Sequence, residues 1–215
     1  MSATTDRPGA GAGLPELADQ CLKAWTADLQ AQGQVRAALL RDWQELAGPG
    51  LVKTVEDAWP LLGAGRDDWP SLAGLERGDW IATSAWLGLH RLLIERGWGG
   101  DPLAFASDWH ERVLERFARP ARWALRAYGL QRGVERLPEV WPQVYPGAVP
   151  QVGLSGSALT LVLSGHPLTE QPIARLLLAC QTRLAAQLLT GQLQQLTQQV
   201  GQSSWTLRVS PRNSS

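Results

Sequence analysis

Through the first two thirds of the chain, apolar residues recur every three or four positions, the spacing of helices that bury one face. Leu14, Leu17, Cys21, Trp25 and Leu29 form the first such stripe, which ends near Gly33. Val35, Leu39, Trp43 and Leu46 form a second, stopped by Gly48 and Pro49. A third carries Leu51, Val52, Val55, Trp59 and Leu62, with Pro60 at its weak end. Positions 63–70 read as a loop and 74–78 as a turn. Asp79 is placed to cap a helix that reaches about Arg96, with Ile81, Ala82, Ala85, Trp86, Leu89, Leu92 and Leu93 on its buried face. Asp101 followed by Pro102 is an N-cap and first-turn pair for the next helix, which carries Leu103, Phe105, Trp109, Val113 and Phe117. Pro120 opens another, with Trp123, Ala124, Ala127 and Tyr128, and a last one holds Val134, Leu137, Val140, Trp141 and Val144.

After Pro146, Gly147 and Pro150 the period shortens to two. Leu159, Leu161 and Leu163 alternate with Thr160, Val162 and Ser164, and Ser155-Gly156-Ser157 separates them from positions 149–154, which predicts a hairpin. A long helix follows from about Glu170 to Val200, burying Ile173, Leu176, Leu177, Cys180, Leu184, Leu188 and Leu189 and ending in a glutamine-rich polar stretch. Trp205, Leu207 and Val209 alternate with polar residues in a final strand. The predicted fold is therefore mainly α with a small C-terminal α+β unit: a bundle of about seven helices followed by β-β-α-β. In this reading positions 1–13 are a disordered tail, 14–145 a helical domain, 146–210 the β-β-α-β unit packed on it, and 211–215 a short tail. The long helix is expected to cover one face of the sheet, and the edge of the final strand is free to pair with a second copy.

Composition narrows the class. Of 215 residues, 44% are apolar and 19% charged, enough apolar material for a core and too little charge for a solvating chain. The net charge is zero, so nothing draws the whole molecule to nucleic acid or an anionic membrane. No apolar run approaches the roughly 20 residues that span a bilayer. The first thirteen residues lack the apolar core of a signal peptide, and Cys21 and Cys180 read as buried thiols in a reducing compartment, so a cytoplasmic protein is expected. The eleven tryptophans mostly fall on buried stripes, with Trp69 and Trp98 in loops as candidate platforms.

No motif encodes a reaction. His90, His110 and His166 are too far apart for a zinc-binding pair, and His90, beside a buried stripe, reads as a satisfied or half-exposed helical histidine rather than a haem ligand. Ser155 falls one residue short of a Gly-x-Ser-x-Gly elbow and lies in a hairpin turn. The pairs Asp67-Asp68 and Glu56-Asp57 point apart and read as solvated surface. No catalytic residue, metal or cofactor is expected, and the balance falls against an enzyme.

What remains is a charge gradient. Positions 1–110 hold nine basic and fifteen acidic side chains, whereas 111–136 hold seven arginines against Glu111, Glu115 and Glu135. Arg112, Arg116, Arg119, Arg122 and Arg126 step by three and four, and Trp123 lies among them, available to stack on a base or a guanidinium. Either the arginines pair within the fold, or they form a binding face. The expected function is a non-enzymatic binding or regulatory module for a protein partner or small ligand, with self-association as one form of it. The alternative is a nucleic-acid-associated protein that uses the arginine-rich stretch 112–136. No membrane partner is expected.

Overall fold

The structure, a computed structural model, describes residues 13–25, 33–37, 50, 52–53, 56–60, 71–116, 119–147, 149–192 and 194–212, with the side chains of Arg116, Arg119 and Pro167 outside that description. The readings of an N-terminal tail, of the second helical stripe beyond Val35, of the 63–70 loop and of the last three residues lie outside the described residues.

Helix α1 (Leu14–Lys23) starts with Pro15 in its first turn and buries Leu17, Ala18 and Cys21. Ala24 and Trp25 form a turn at its end, so the helix stops earlier than the stripe predicts. Trp25 donates its indole N–H to Glu95 Oε1 at 2.7 Å instead of extending the stripe. Gly33 has a φ of +91°, a conformation open to glycine at little cost. Here the structure corrects the sequence reading. Val35 belongs to strand β1 (Gln34–Arg36), which pairs antiparallel with β2 (Trp80–Ala82) so that Val35 faces Ile81. Strands of three residues are too short to display a period of two, and Val35 happens to sit at helical spacing from Leu39.

The same ribbon displaces the predicted cap at Asp79. Its carboxylate accepts the backbone N–H of Glu76 at 2.6 Å, and helix α2 (Thr83–Gly97) begins only after β2. The next boundary is as predicted: Asp101 Oδ1 accepts the N–H groups of Leu103 at 2.8 Å and Ala104 at 3.1 Å, capping α3 (Pro102–Arg116). Helix α4 (Arg119–Tyr128) and helix α5 (Leu130–Val144) are separated by Gly129. Pro138 and Pro142 lie inside α5, and each removes one intrahelical N–H.

The C-terminal sheet has four strands, one more than predicted. β3 (Gln151–Ser155) and β4 (Ala158–Ser164) form the expected hairpin across Gly156 and Ser157. Helix α6 (Pro172–Thr190) follows, then β5 (Gln194–Val200) and β6 (Ser204–Pro211). All pairings are antiparallel, in the order β3-β4-β6-β5. The glutamine-rich stretch is therefore a strand and not the tail of the long helix. Gly191, at φ +74°, takes the left-handed position that ends α6, and its N–H bonds to Gln187 O at 2.8 Å. Beyond it Gln194, Leu196 and Gln198 point inward. The unit is β-β-α-β-β, and β6 lies between β4 and β5. The expectation of a free edge on the final strand is thus overturned: the outer strands are β3 and β5.

Leu159, Leu161 and Leu163 of β4 and Trp205, Leu207 and Val209 of β6 line the inner face, against which α6 packs. One continuous cluster of buried side chains links this layer to Trp86, Leu89 and Leu93 of α2, Phe105 of α3 and Leu17 of α1. Both cysteines are buried free thiols, and burial pushes each up to about 12. A polar seam crosses this packing. Trp205 Nε1–H donates to Gln198 Oε1 at 2.8 Å, and Gln20 Oε1 accepts from Gln198 Nε2 at 3.4 Å and from the buried Arg175 at 3.1 Å.

Candidate functional site

Helices α5 and α6 pack against each other. At Gly133 the absence of a side chain admits Leu189, whose Cδ1 would stand 2.7 Å from a Cβ there. Ala185 and Ala186 of α6, with small side chains, and the larger Leu137, Val140 and Trp141 of α5 line the space between the two helices. The result is a partly open apolar cavity of about 270 Å³, floored by Leu159 and Leu161 of the sheet. A shallower depression adjoins it at Leu130 and Val134 and runs out to the hairpin turn at Gly156 and Ser157.

The polar groups in this cavity are few and placed together. Tyr145, just past the end of α5, is buried, and its hydroxyl donates to Gln181 Oε1 at 2.7 Å. Burial pushes the Tyr145 phenol above its ordinary range, with the bond to Gln181 acting the other way, so the group is neutral at physiological pH. Thr182 spends its hydroxyl proton on Leu178 O at 2.7 Å. Trp141 is 94% buried by its 6% exposure, and its indole Nε1–H finds no acceptor among the described residues. The Trp141 ring lies 4.8 Å from Tyr145, and Tyr145 is in turn 6.2 Å from Trp86. No lining residue among those described carries a charge. The cavity can hold and orient an apolar molecule, and it contains no group that titrates near neutrality.

The arginine-rich stretch is divided among three helices. Arg112 on α3 is held by Asp108 at 2.8 Å, and its guanidinium lies 5.9 Å from the Trp98 ring centroid. Arg116 ends α3 and Arg119 begins α4. On α4, Trp123 is 73% exposed, the most open of the exposed large apolar side chains, and with Pro120, Arg122 and Arg126 it rims a shallow surface depression. Arg126 also has an internal neighbour: a Cβ on Gly191 would stand 2.6 Å from its Nε, so its guanidinium rests over the C-terminal end of α6. Arg136 on α5 pairs with Glu139 at 2.6 Å. Trp98, a candidate platform just past the end of α2, donates to Asp108 at 2.9 Å and stacks edge-on against Phe105, which ties it to α3.

The three histidines are all buried. His90 donates from Nδ1 to Trp86 O at 2.7 Å, and desolvation holds it down to about 4. His110 bonds Gln187 Oε1 at 2.6 Å through Nε2, and His166 accepts the Leu168 N–H at 3.2 Å; burial lowers both. Among the described residues no group of three or more His, Cys, Asp or Glu stands ready for a metal ion, and no helix is long and apolar enough to cross a membrane.

No family model, curated protein or solved structure matches the chain at a significant level. Sequence reading places Trp141 on a buried stripe but misses Tyr145, Gln181 and Thr182 as a cluster. No local signal marks them, because the cluster joins two helices whose bonded pair, Tyr145 and Gln181, lies 36 positions apart in the chain.

Proposed function

We propose that this protein is a non-catalytic binding module that takes a small apolar ligand between α5 and α6. The observation that carries the reading is the uncharged cavity of about 270 Å³ with its few polar groups gathered at Tyr145 and Gln181. Ligand sites are typically apolar with a small number of placed polar groups, and about 150 Å³ of dry cavity suffices for benzene. The neutral Tyr145 and the lack of charged lining residues favour retention of a ligand over acid–base chemistry. A ligand bound only by the folded state raises the thermal midpoint. Saturating toluene is expected to raise the midpoint of the natural protein and to leave Ala185→Trp, which fills the cavity from its exposed side, unmoved. An unchanged midpoint in the natural protein sinks the proposal.

A second reading is supported by Trp123. An exposed tryptophan flanked by Arg122 and Arg126 suits stacking on a base beside phosphate contacts, or docking on an acidic partner surface. Binding of a single-stranded oligonucleotide is then expected to weaken steeply with salt and to be lost in Trp123→Ala. Binding that survives that substitution, or that is absent at low salt, removes nucleic acid from consideration.

A further inference from the structure

Resting on the cavity reading above, we infer that the ligand is an amphiphile, with a hydrocarbon arm in the cavity and a cationic head of the alkylammonium kind outside it, against Glu135. The apolar cavity and the shallower depression beside it share Leu130 and Val134 in their walls, both half-buried, so the two meet there. The cavity is walled by Leu137, Val144 and Leu178 and takes hydrocarbon. The depression has polar side chains in its wall as well: Gln131, Glu135, Ser157 and Thr190. A molecule that fills both parts is apolar at one end and polar at the other.

The donors and acceptors of the depression decide the head. The Thr190 hydroxyl is fully used: it donates to Ala186 O at 2.8 Å and accepts from the backbone N–H of Gln192 at 3.2 Å and from Gln194 Nε2 at 2.9 Å. Gln131 gives its amide nitrogen to Glu135 Oε1 at 3.0 Å, which spends a donor and leaves its oxygen as an acceptor. Glu135 itself is exposed and has no cationic partner among the described residues, because Arg136 beside it pairs with Glu139. No arginine or lysine among the described residues lines the cavity or the depression, and Arg126 is taken up over the end of α6. A positive, donating head meets this rim, and a negative one is repelled by it. The head stays in contact with water, so its charge is not carried into the apolar part.

Three probes of one chain length separate the possibilities: hexylammonium (cationic donor), hexanol (neutral donor) and hexanoate (anion). Affinities for the full chain are read from chemical-shift titrations in nitrogen–proton spectra at low salt. Hexylammonium is expected to bind about two- to fivefold more tightly than hexanol, the worth of one exposed ion pair, with hexanoate weakest. The net charge of the chain is zero, so no pull of the whole molecule on cations supplies that order. Glu135→Gln keeps the length of the side chain and removes its charge. Hexanol should bind this variant as it binds the natural protein, which also shows that the variant is folded, while hexylammonium should fall to the level of hexanol. Raising the salt should shrink the same preference in the natural protein. Hexylammonium no tighter than hexanol, a preference for hexanoate, or a cation preference that persists in Glu135→Gln overturns the inference about the head and leaves the cavity as a ligand site. Failure of all three probes to bind overturns both.

Discussion

Tyr145 and Gln181 are joined by a 2.7 Å hydrogen bond between the end of α5 and the middle of α6, beside the cavity these helices enclose. The bond fixes the orientation of the amide, and with it the direction in which the Gln181 nitrogen can donate. It also ties α5 to the helix that covers the sheet.

Tyr145→Phe keeps the ring against Trp141 and Trp86 and deletes only the hydroxyl. Loss of one buried hydrogen bond is expected to lower stability by about 1–2 kcal/mol. The measurement is a urea unfolding midpoint, with an unchanged slope. A midpoint equal to that of the natural protein would mean that the two groups are not bonded in solution.

Acid should unfold this protein through its histidines. His90 titrates near 4 in the fold, against about 6.5 in an unfolded chain, because burial disfavours the imidazolium. The unfolded state therefore binds the proton first. Stability from this group is fully present above pH 6.5 and is lost as pH falls toward 4, by up to about 3 kcal/mol. His110 and His166 are shifted in the same direction and add to the same limb. Denaturant midpoints between pH 7 and 4.5 should fall more steeply for the natural protein than for His90→Leu. Parallel curves would show that His90 is not responsible.

Gly191 and Arg126 form a coupled pair. A side chain at Gly191 is strained by φ +74°, and its Cβ would meet the Arg126 guanidinium, with Nε at 2.6 Å and Cζ at 2.9 Å. Gly191→Ala is expected to cost about 1–2 kcal/mol. In Arg126→Ala the collision is gone and only the backbone cost remains, so Gly191→Ala should be less damaging in that background. Additive effects of the two substitutions would place Arg126 away from the helix end, free for the surface role that its neighbour Trp123 suggests.

Where the chain gives strong local punctuation, sequence and structure agree. Asp101-Pro102 caps α3, and the alternation of Leu159, Leu161 and Leu163 with a Gly-Ser turn makes the hairpin. The disagreements fall where local preference is weak and tertiary pairing decides. Val35 and Ile81 become strand residues because each covers the other. Glutamine tolerates a helix well, so Gln192 to Gln199 continues the helical pattern on paper, and only Gly191 in the left-handed conformation and pairing with β6 turn it into β5. The cavity is the extreme case, since Tyr145 and Gln181 meet only in three dimensions.

The register of β5 supplies the sharpest test of that correction. In a helix, Gln195 and Gln198 are three positions apart and share a face. In β5 they are on opposite faces. Gln198 points inward, 6% exposed, and accepts the N–H of the fully buried Trp205 at 2.8 Å, whereas Gln195 is exposed and reaches Ser210 only at 3.3 Å. Gln198→Leu strands a buried indole donor and should cost about 1–3 kcal/mol, while Gln195→Leu should change stability by no more than about 0.5 kcal/mol. Urea midpoints of the two variants, measured side by side, decide the matter. Equal losses would return this stretch to the helix that its glutamines suggest, whereas the predicted inequality requires the alternation of a strand with Gln198 beneath the sheet.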